Sequence, residues 1–203
     1  MNKIKYAFLG IVAVAFAGCA DLDYNEASNR DEDWTYNSPL NGVKALVYDV
    51  YAQMPSEFKD NSYGNGAMIA SATDESEFAL SFSPIHKYFN GGWTPSNPFS
   101  NTWDRSYRAI TQVHMYLERI HKIDLSDYEY DPDYQTMVQQ FEIFPYELRF
   151  LRAYFYFELV RAYGDVPLVT TTLTNEQANS VERTPAKEVF EFIINELDAV
   201  AEY

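Results

Sequence analysis

Apolar residues recur at helical spacing in four stretches, each bounded by residues that start or stop a helix. In "SPLNGVKALVYDVYAQM", residues 38–54, Val43, Val47, Val50 and Met54 share one side. Ser38 can cap that helix, Pro39 suits its first position, and Pro55 ends it. A second helix is expected from about Asn101 to Lys122 with Ser100 as its cap. Its stripe is Trp103, Tyr107, Ile110, His114, Leu117 and His121, with Val113 and Ile120 beside it. A third segment, Tyr134 to Tyr163, crosses Pro145, which either kinks it or restarts it. Gly164 supplies a left-handed cap and Pro167 prevents continuation. The last helix starts at Thr184–Pro185, carries Ala186, Phe190, Ile193, Leu197 and Val200 on one stripe, and is expected to be still in progress at Tyr203.

The connections read differently. Residues 56–99 show no sustained period, and "DNSYGNG" and "FNGGWTPSNP" mark loops with short extended or helical pieces. An irregular region that long is unusual in a compact protein and is often functional. "DLSDYEYDPDY" is a turn-rich acidic link, and "VPLVTTTLT" is extended. No fixed-period repeat stands out. The expected class is all-α, two antiparallel helix pairs joined by long irregular loops.

Within the third helix, "ELRFLRAYFYFELVRAYGDVPLV" mixes charge with many aromatic rings. At about 100° per residue, Leu148, Leu151, Phe155, Leu159 and Ala162 fall on one side. Phe150, Ala153, Phe157 and Val160 fall on the other. One seam between them holds Glu147, Tyr154, Glu158 and Arg161; the second holds Arg149, Arg152, Tyr156 and Tyr163. Two apolar faces call for cover on both sides, the inner position of a layered stack. Buried arginine without a partner costs several kcal/mol, so these arginines should tie to carboxylates or carbonyls, with Glu158 at pairing distance from Arg161. Five charges between Glu147 and Arg161 exclude a membrane span.

The amino terminus carries a separate signal. Lys3 and Lys5 precede an uncharged run from Tyr6 to Gly18, too short for a comfortable span and ending in "FAGC". Residues 1–18 read as a lipoprotein signal peptide, with Cys19, the chain's single cysteine, as the lipidated residue. Multiple acyl chains there would hold the protein at a membrane, each buried methylene contributing roughly 0.8 kcal/mol. Residues 19–37 are acidic and polar, a solvated tether or an export signal for the cell surface. The helical domain is then 38–203.

Charge narrows the partners. A net charge of −15 argues against nucleic acid and anionic headgroups. The single cysteine precludes an internal disulfide or a thiolate metal cluster. His86, His114 and His121 are too scattered for a metal set, and no cofactor motif is present. Tyrosine leads a high aromatic content of 17%, which suits surfaces both wet and adhesive.

Several stretches in order resemble the SusD/RagB family of outer-membrane nutrient-binding lipoproteins. They are "CADLDY", "LNGVKALVYDVYAQM", "NPFSNTWDRSYRAITQVHMYLERI", the "RAYFYFELVRAYGDVPLV" run, and "VERTPAKEVFEFIINELDAVAEY". The resemblance covers essentially the whole chain, which is expected to be an amino-terminal or truncated portion of a longer family member. His114 stands where the family usually has asparagine, and Pro145–Tyr146 precede Glu147 where glycine is common. The resemblance implies tetratricopeptide-like antiparallel helix pairs on the outer face of the outer membrane. It also implies a non-catalytic protein that binds glycan or another nutrient and hands it to a SusC-like TonB-dependent transporter. A helical-repeat envelope protein that binds only a protein partner is the competing reading.

For neutral sugars the requirements are flat aromatic faces and amides or carboxylates for hydroxyls. In "HKYFNGGWTPSNPFSNTW" the family's ligand loop corresponds to the stretch before the tryptophan-led helix, so Trp93 and Asn97 are the leading candidates. Tyr88 joins them, unless it and Phe89 fill a small core under the loop, and Asp74 is a further polar candidate. Trp103 is expected in the core. The carboxylates Asp74, Glu75 and Glu77 do not establish a glycosidase pair, because spacing alone cannot set two carboxyls across a bond.

Overall fold

A computed structural model describes residues 32–55, 69–94, 96–97 and 102–203. The expected signal peptide, Cys19 and most of the expected tether lie outside the described residues, as does Ser100. Six α-helices are described: α1 (Glu32–Asn37), α2 (Val43–Ala52), α3 (Thr102–Arg119), α4 (Tyr134–Tyr163), α5 (Asn175–Ser180) and α6 (Ala186–Val200). Short 3-10 turns punctuate the loops, and among the described residues there are two isolated β-bridges and no strand. The all-α expectation holds. Thr35 to Tyr203 form one compact unit.

The polar stretch expected to stay a tether as far as residue 37 turns helical at Glu32. Its Tyr36 is buried in the main core, with the hydroxyl donating to the Met115 carbonyl at 2.8 Å. The chain then turns through Ser38–Gly42. The Ser38 carbonyl accepts from the Asn41 and Gly42 amides, so Ser38 serves this turn and does not cap α2. Gly42 is required on steric grounds: a Cβ there would lie 2.1 Å from the Thr35 carbonyl oxygen. From Gly42, α2 buries Val43, Val47 and Val50 completely, as their spacing predicts. It ends at Ala52, so Met54 is exposed and not on the buried stripe. Proline disfavours helix in the residue before it, and Pro55 follows at once.

Helix α4 is the centre of the fold. It packs against α3 and α6, and α2 touches both α3 and α4. Its 30 residues correspond to about 45 Å of helix, and Pro145 lies inside it, so the restart alternative is excluded. Leu148, Leu151, Phe155 and Leu159 are buried as the wheel requires, while Ala162 is exposed. The opposite face is only half covered: Ala153 and Val160 are buried, but Phe150 and Phe157 are 49% and 42% exposed. The reason lies in the second seam, because α6 carries the carboxylate that Arg149 and Arg152 need.

That carboxylate is Glu196, buried on α6. It receives Arg149 Nη2 at 2.9 Å and also the guanidinium of Arg152, whose Nε bond is 2.9 Å. Arg152 also lies over the Phe192 ring, which meets Tyr156 edge-on at 5.4 Å. The pairing turns α6 so that Val189, Ile193 and Glu196 face inward. Phe190 and Leu197, expected on the buried stripe, are instead 41% and 37% exposed, and the helix ends at Val200. The other seam behaves as expected, with Arg161 Nη2 2.5 Å from Glu158.

On α3 the buried face is Ser106, Ala109, Ile110, Val113, His114 and Tyr116. Trp103, Tyr107 and Leu117 are only partly buried, and His121 is exposed. Two helices pack on α3, which widens its covered arc beyond one stripe.

The "YGDVPLV" run is a structural lock. Gly164 takes φ +72°, closed to most side chains, and its amide donates to the Val160 carbonyl at 2.9 Å. Asp165 Oδ1 accepts from the Ala186 amide at 2.8 Å, placing a carboxylate at the start of α6. Val166 is fully buried and pairs with Thr184 through both backbone bonds. The Tyr107 hydroxyl donates to the Pro167 carbonyl at 2.7 Å. The Tyr156 hydroxyl donates to the Val169 carbonyl and accepts from its amide, at 2.7 and 2.8 Å. Burial drives both phenols well above their ordinary pKa, which keeps them neutral and able to donate. Helix α5 follows the stretch read as extended, in residues assigned no element from sequence, and begins with a Thr174–Gln177 capping box.

Candidate functional site

The loop before α3 presents its aromatic rings from a small anchored base. Ser83 Oγ accepts from the Ile85 amide and Pro84 takes the first position of the Pro84–Tyr88 turn. Ile85, 0% exposed, is the anchor, with Ala72, Phe78 and Tyr88 packed around it. His86 lies 3.1 Å from the Leu80 carbonyl and meets Phe89 edge-on at 5.1 Å. Beyond the turn, Gly91 takes φ +76° and the Gly92 amide donates to Asn90 Oδ1 at 2.8 Å, which turns the chain outward to Trp93.

Trp93 is 55% exposed, and its ring meets Tyr88 edge to face with centroids 4.8 Å apart. One ring is thus held by another that is itself rooted on Ile85. Burial pushes the Tyr88 phenol up, with the Arg161 guanidinium acting in the opposite sense. Tyr88 therefore packs in the satellite core, as one of the two sequence readings had it, and also meets the Trp93 ring. Phe89, at 56% exposure, does not fill that core.

Asn97 is tied into the loop at both ends of its carboxamide. Lys87 Nζ donates to Oδ1 at 2.7 Å, and Nδ2 donates to the Gly92 carbonyl at 3.0 Å. Its backbone pairs with Thr94 on the far side of Trp93. Asp74 is exposed just beyond the Ile69–Ala72 turn, whose Ala72 packs on Ile85. The structure thus ties Trp93, Tyr88 and Asn97 into one loop and places Asp74 on the neighbouring turn. Sequence reasoning missed Lys87; no periodicity or motif pairs it with a residue ten positions later.

Other concavities have a different character. A cleft of about 280 Å³ lies between α3 and the segment after α4, lined by Trp103, Tyr107, Ile110, Pro167 and Leu173 among others. Trp103, expected in the core, is partly buried at its edge and meets Tyr163 edge-on at 5.2 Å. A larger groove of about 620 Å³ runs along the start of α4 to Tyr203, which stacks on Tyr146 at 3.7 Å. Both are mainly apolar, with Thr111 and Thr171 among the lining of the smaller and Glu142, Tyr134, Tyr146 and Tyr203 among that of the larger. The three histidines occupy separate environments: His114 is buried beside Arg152, His86 is in the loop and His121 is exposed. Among the described residues no helix is long and apolar enough to cross a membrane.

Known proteins give this geometry a context. Residues 22–203 match the model of a SusD-like family described as starch-binding and associating with the outer membrane. No curated protein gives a significant match. Among solved structures, a SusD-like protein from Bacteroides fragilis aligns with TM-score 0.59 at 23% identity, over 85% of this chain and 30% of that one. A SusD-like carbohydrate-binding protein from the same species aligns with TM-score 0.60 at 23% identity, over 85% and 32%. A laminarin-binding SusD-like protein aligns with TM-score 0.55 at 21% identity, over 85% and 34%. The chain thus spans about a third of the length of these proteins, and the likeness carries the fold.

Proposed function

This chain belongs to the SusD-like family, and from that premise we propose that it binds glycan at the loop carrying Trp93. The observation that carries the reading is the exposed Trp93 ring braced edge-on by Tyr88. Such a face can cover the apolar C–H side of a pyranose, and the polar groups around it can meet the hydroxyls. The laminarin-binding protein among the structural relatives makes a β-glucan a sensible first probe, and the family description makes starch the second.

In this reading the chain is not a catalyst. It is lipid-anchored at Cys19, faces outward from the outer membrane, and delivers its glycan to a SusC-like TonB-dependent transporter. The outer-membrane association in the family description supports that placement. Calorimetric titration with laminarin, soluble starch and a panel of oligosaccharides tests the binding. Saturable heats with at least one glycan and no released reducing sugar are expected; cleavage would make it a hydrolase instead.

One observation favours a second reading, binding to a protein partner alone. Phe150 and Phe157 of α4 and Phe190 and Ile194 of α6 are large, apolar and half exposed. They lie on two helices that pack together, and apolar side chains left exposed there are what a partner would cover. Absence of heat with every glycan, together with co-purification of a transporter, would favour it.

A further inference from the structure

The reading of Trp93 as a glycan platform leaves open how an exposed ring on an irregular loop keeps one orientation. We propose that Asn97 is a positioning residue: with Lys87 it clamps the loop on both sides of Trp93, and it does not itself grip the sugar.

The residue before Trp93 is Gly92, whose amide is held by Asn90 Oδ1 and whose carbonyl is held by Asn97 Nδ2. The residue after it is Thr94, whose amide and carbonyl both face the Asn97 backbone at 3.4 and 3.0 Å. Asn97 thus fastens the chain immediately before and immediately after the ring. Its remaining end, Oδ1, accepts from Lys87 Nζ at 2.7 Å, which ties the clamp back to the Pro84–Tyr88 turn. Lys87 adjoins Tyr88, the residue whose ring meets Trp93, so backbone and ring are fixed from the same turn.

Gly92 fits this close assembly. A Cβ there would sit 2.8 Å from Asn90 Oδ1 and 3.4 Å from the Lys87 stem. A carboxamide bound at both ends has a fixed plane, with two of its four hydrogen-bonding positions already taken inside the loop. The loop is long and its rings are exposed, so without the clamp the platform would sample many orientations. Ordering it on binding would then cost affinity.

The test uses the full chain labelled with 5-fluorotryptophan, whose three tryptophans give separate fluorine resonances. Trp93→Ala identifies the Trp93 signal by its loss. In ligand-free Asn97→Ala and Lys87→Met the Trp93 resonance is expected to shift or broaden while that of Trp103 stays in place. Laminarin affinity should fall about fivefold in each variant, the worth of one net hydrogen bond. An unmoved Trp93 resonance in Asn97→Ala overturns the proposal, and lost affinity with an unmoved resonance makes Asn97 a direct contact. If Trp93→Ala leaves laminarin affinity intact, the glycan platform itself is wrong, while the clamp is still judged on the resonance alone.

Discussion

Arg152 of α4 and Glu196 of α6, 44 positions apart in sequence, meet as a buried ion pair at the centre of the helical stack. Arg149 adds a second, more exposed guanidinium to the same carboxylate. Removing one member of a buried pair strands the other. Glu196→Gln should therefore lower stability by about 3 kcal/mol, read as a drop in the urea midpoint at neutral pH. Combining Arg152→Met with Glu196→Met should recover part of that loss, because the buried guanidinium is gone and only the more exposed Arg149 is left without the carboxylate. An unchanged midpoint in Glu196→Gln would show that the pair contributes nothing.

The same network contributes to the acid response through His114. His114 is 2% exposed, and burial followed by the neighbouring Arg152 charge brings its pKa down to about 4, against Glu118 and Glu196 acting the other way. The unfolded chain, with an ordinary histidine pKa of about 6.5, takes up the proton first. Acid therefore favours unfolding: stability falls as pH drops from about 6.5 to about 4, by up to roughly 3 kcal/mol, and His114 adds nothing further below that. Urea midpoints at pH 7 and pH 4.5 should differ less in His114→Asn than in the parent chain. Equal differences would remove His114 from the account.

Gly42 is expected to tolerate no side chain. A methyl group 2.1 Å from the Thr35 carbonyl forces α1 and α2 apart, so Gly42→Ala should cost about 2 kcal/mol in thermal or urea unfolding. Near-native stability would mean that the turn relaxes freely.

Much of this fold was legible because its stops are chemically sharp. Tyr134–Tyr163 comes out with its expected bounds, since Gly164 must take a positive φ and Pro167 follows. The face of α6 was not legible. A pattern of apolar residues assigns Phe190 and Leu197 to the interior and leaves a glutamate outside, yet Glu196 turns inward because two arginines on α4 require it. That requirement lies on another helix and leaves no periodic trace on α6. Ser38 shows a related difference: it has the chemistry of a cap, but the Thr35–Gly42 approach delays α2 and uses its carbonyl in a turn. At the candidate site, residue type alone picks out Trp93 and Tyr88 as candidates. The contacts of Asn97 leave no such trace, because its lysine and glycine partners are brought to it only by the folded loop.

The exposed ring of Trp93 remains the centre of the functional account. The most direct measurement is calorimetric titration of laminarin and soluble starch into the parent chain and into Trp93→Ala. Loss of one stacked aromatic face should weaken the glucan that binds by about tenfold or more, with the urea midpoint unchanged because the ring is 55% exposed. Equal affinity in the two chains would contradict the account and move the binding site away from this loop.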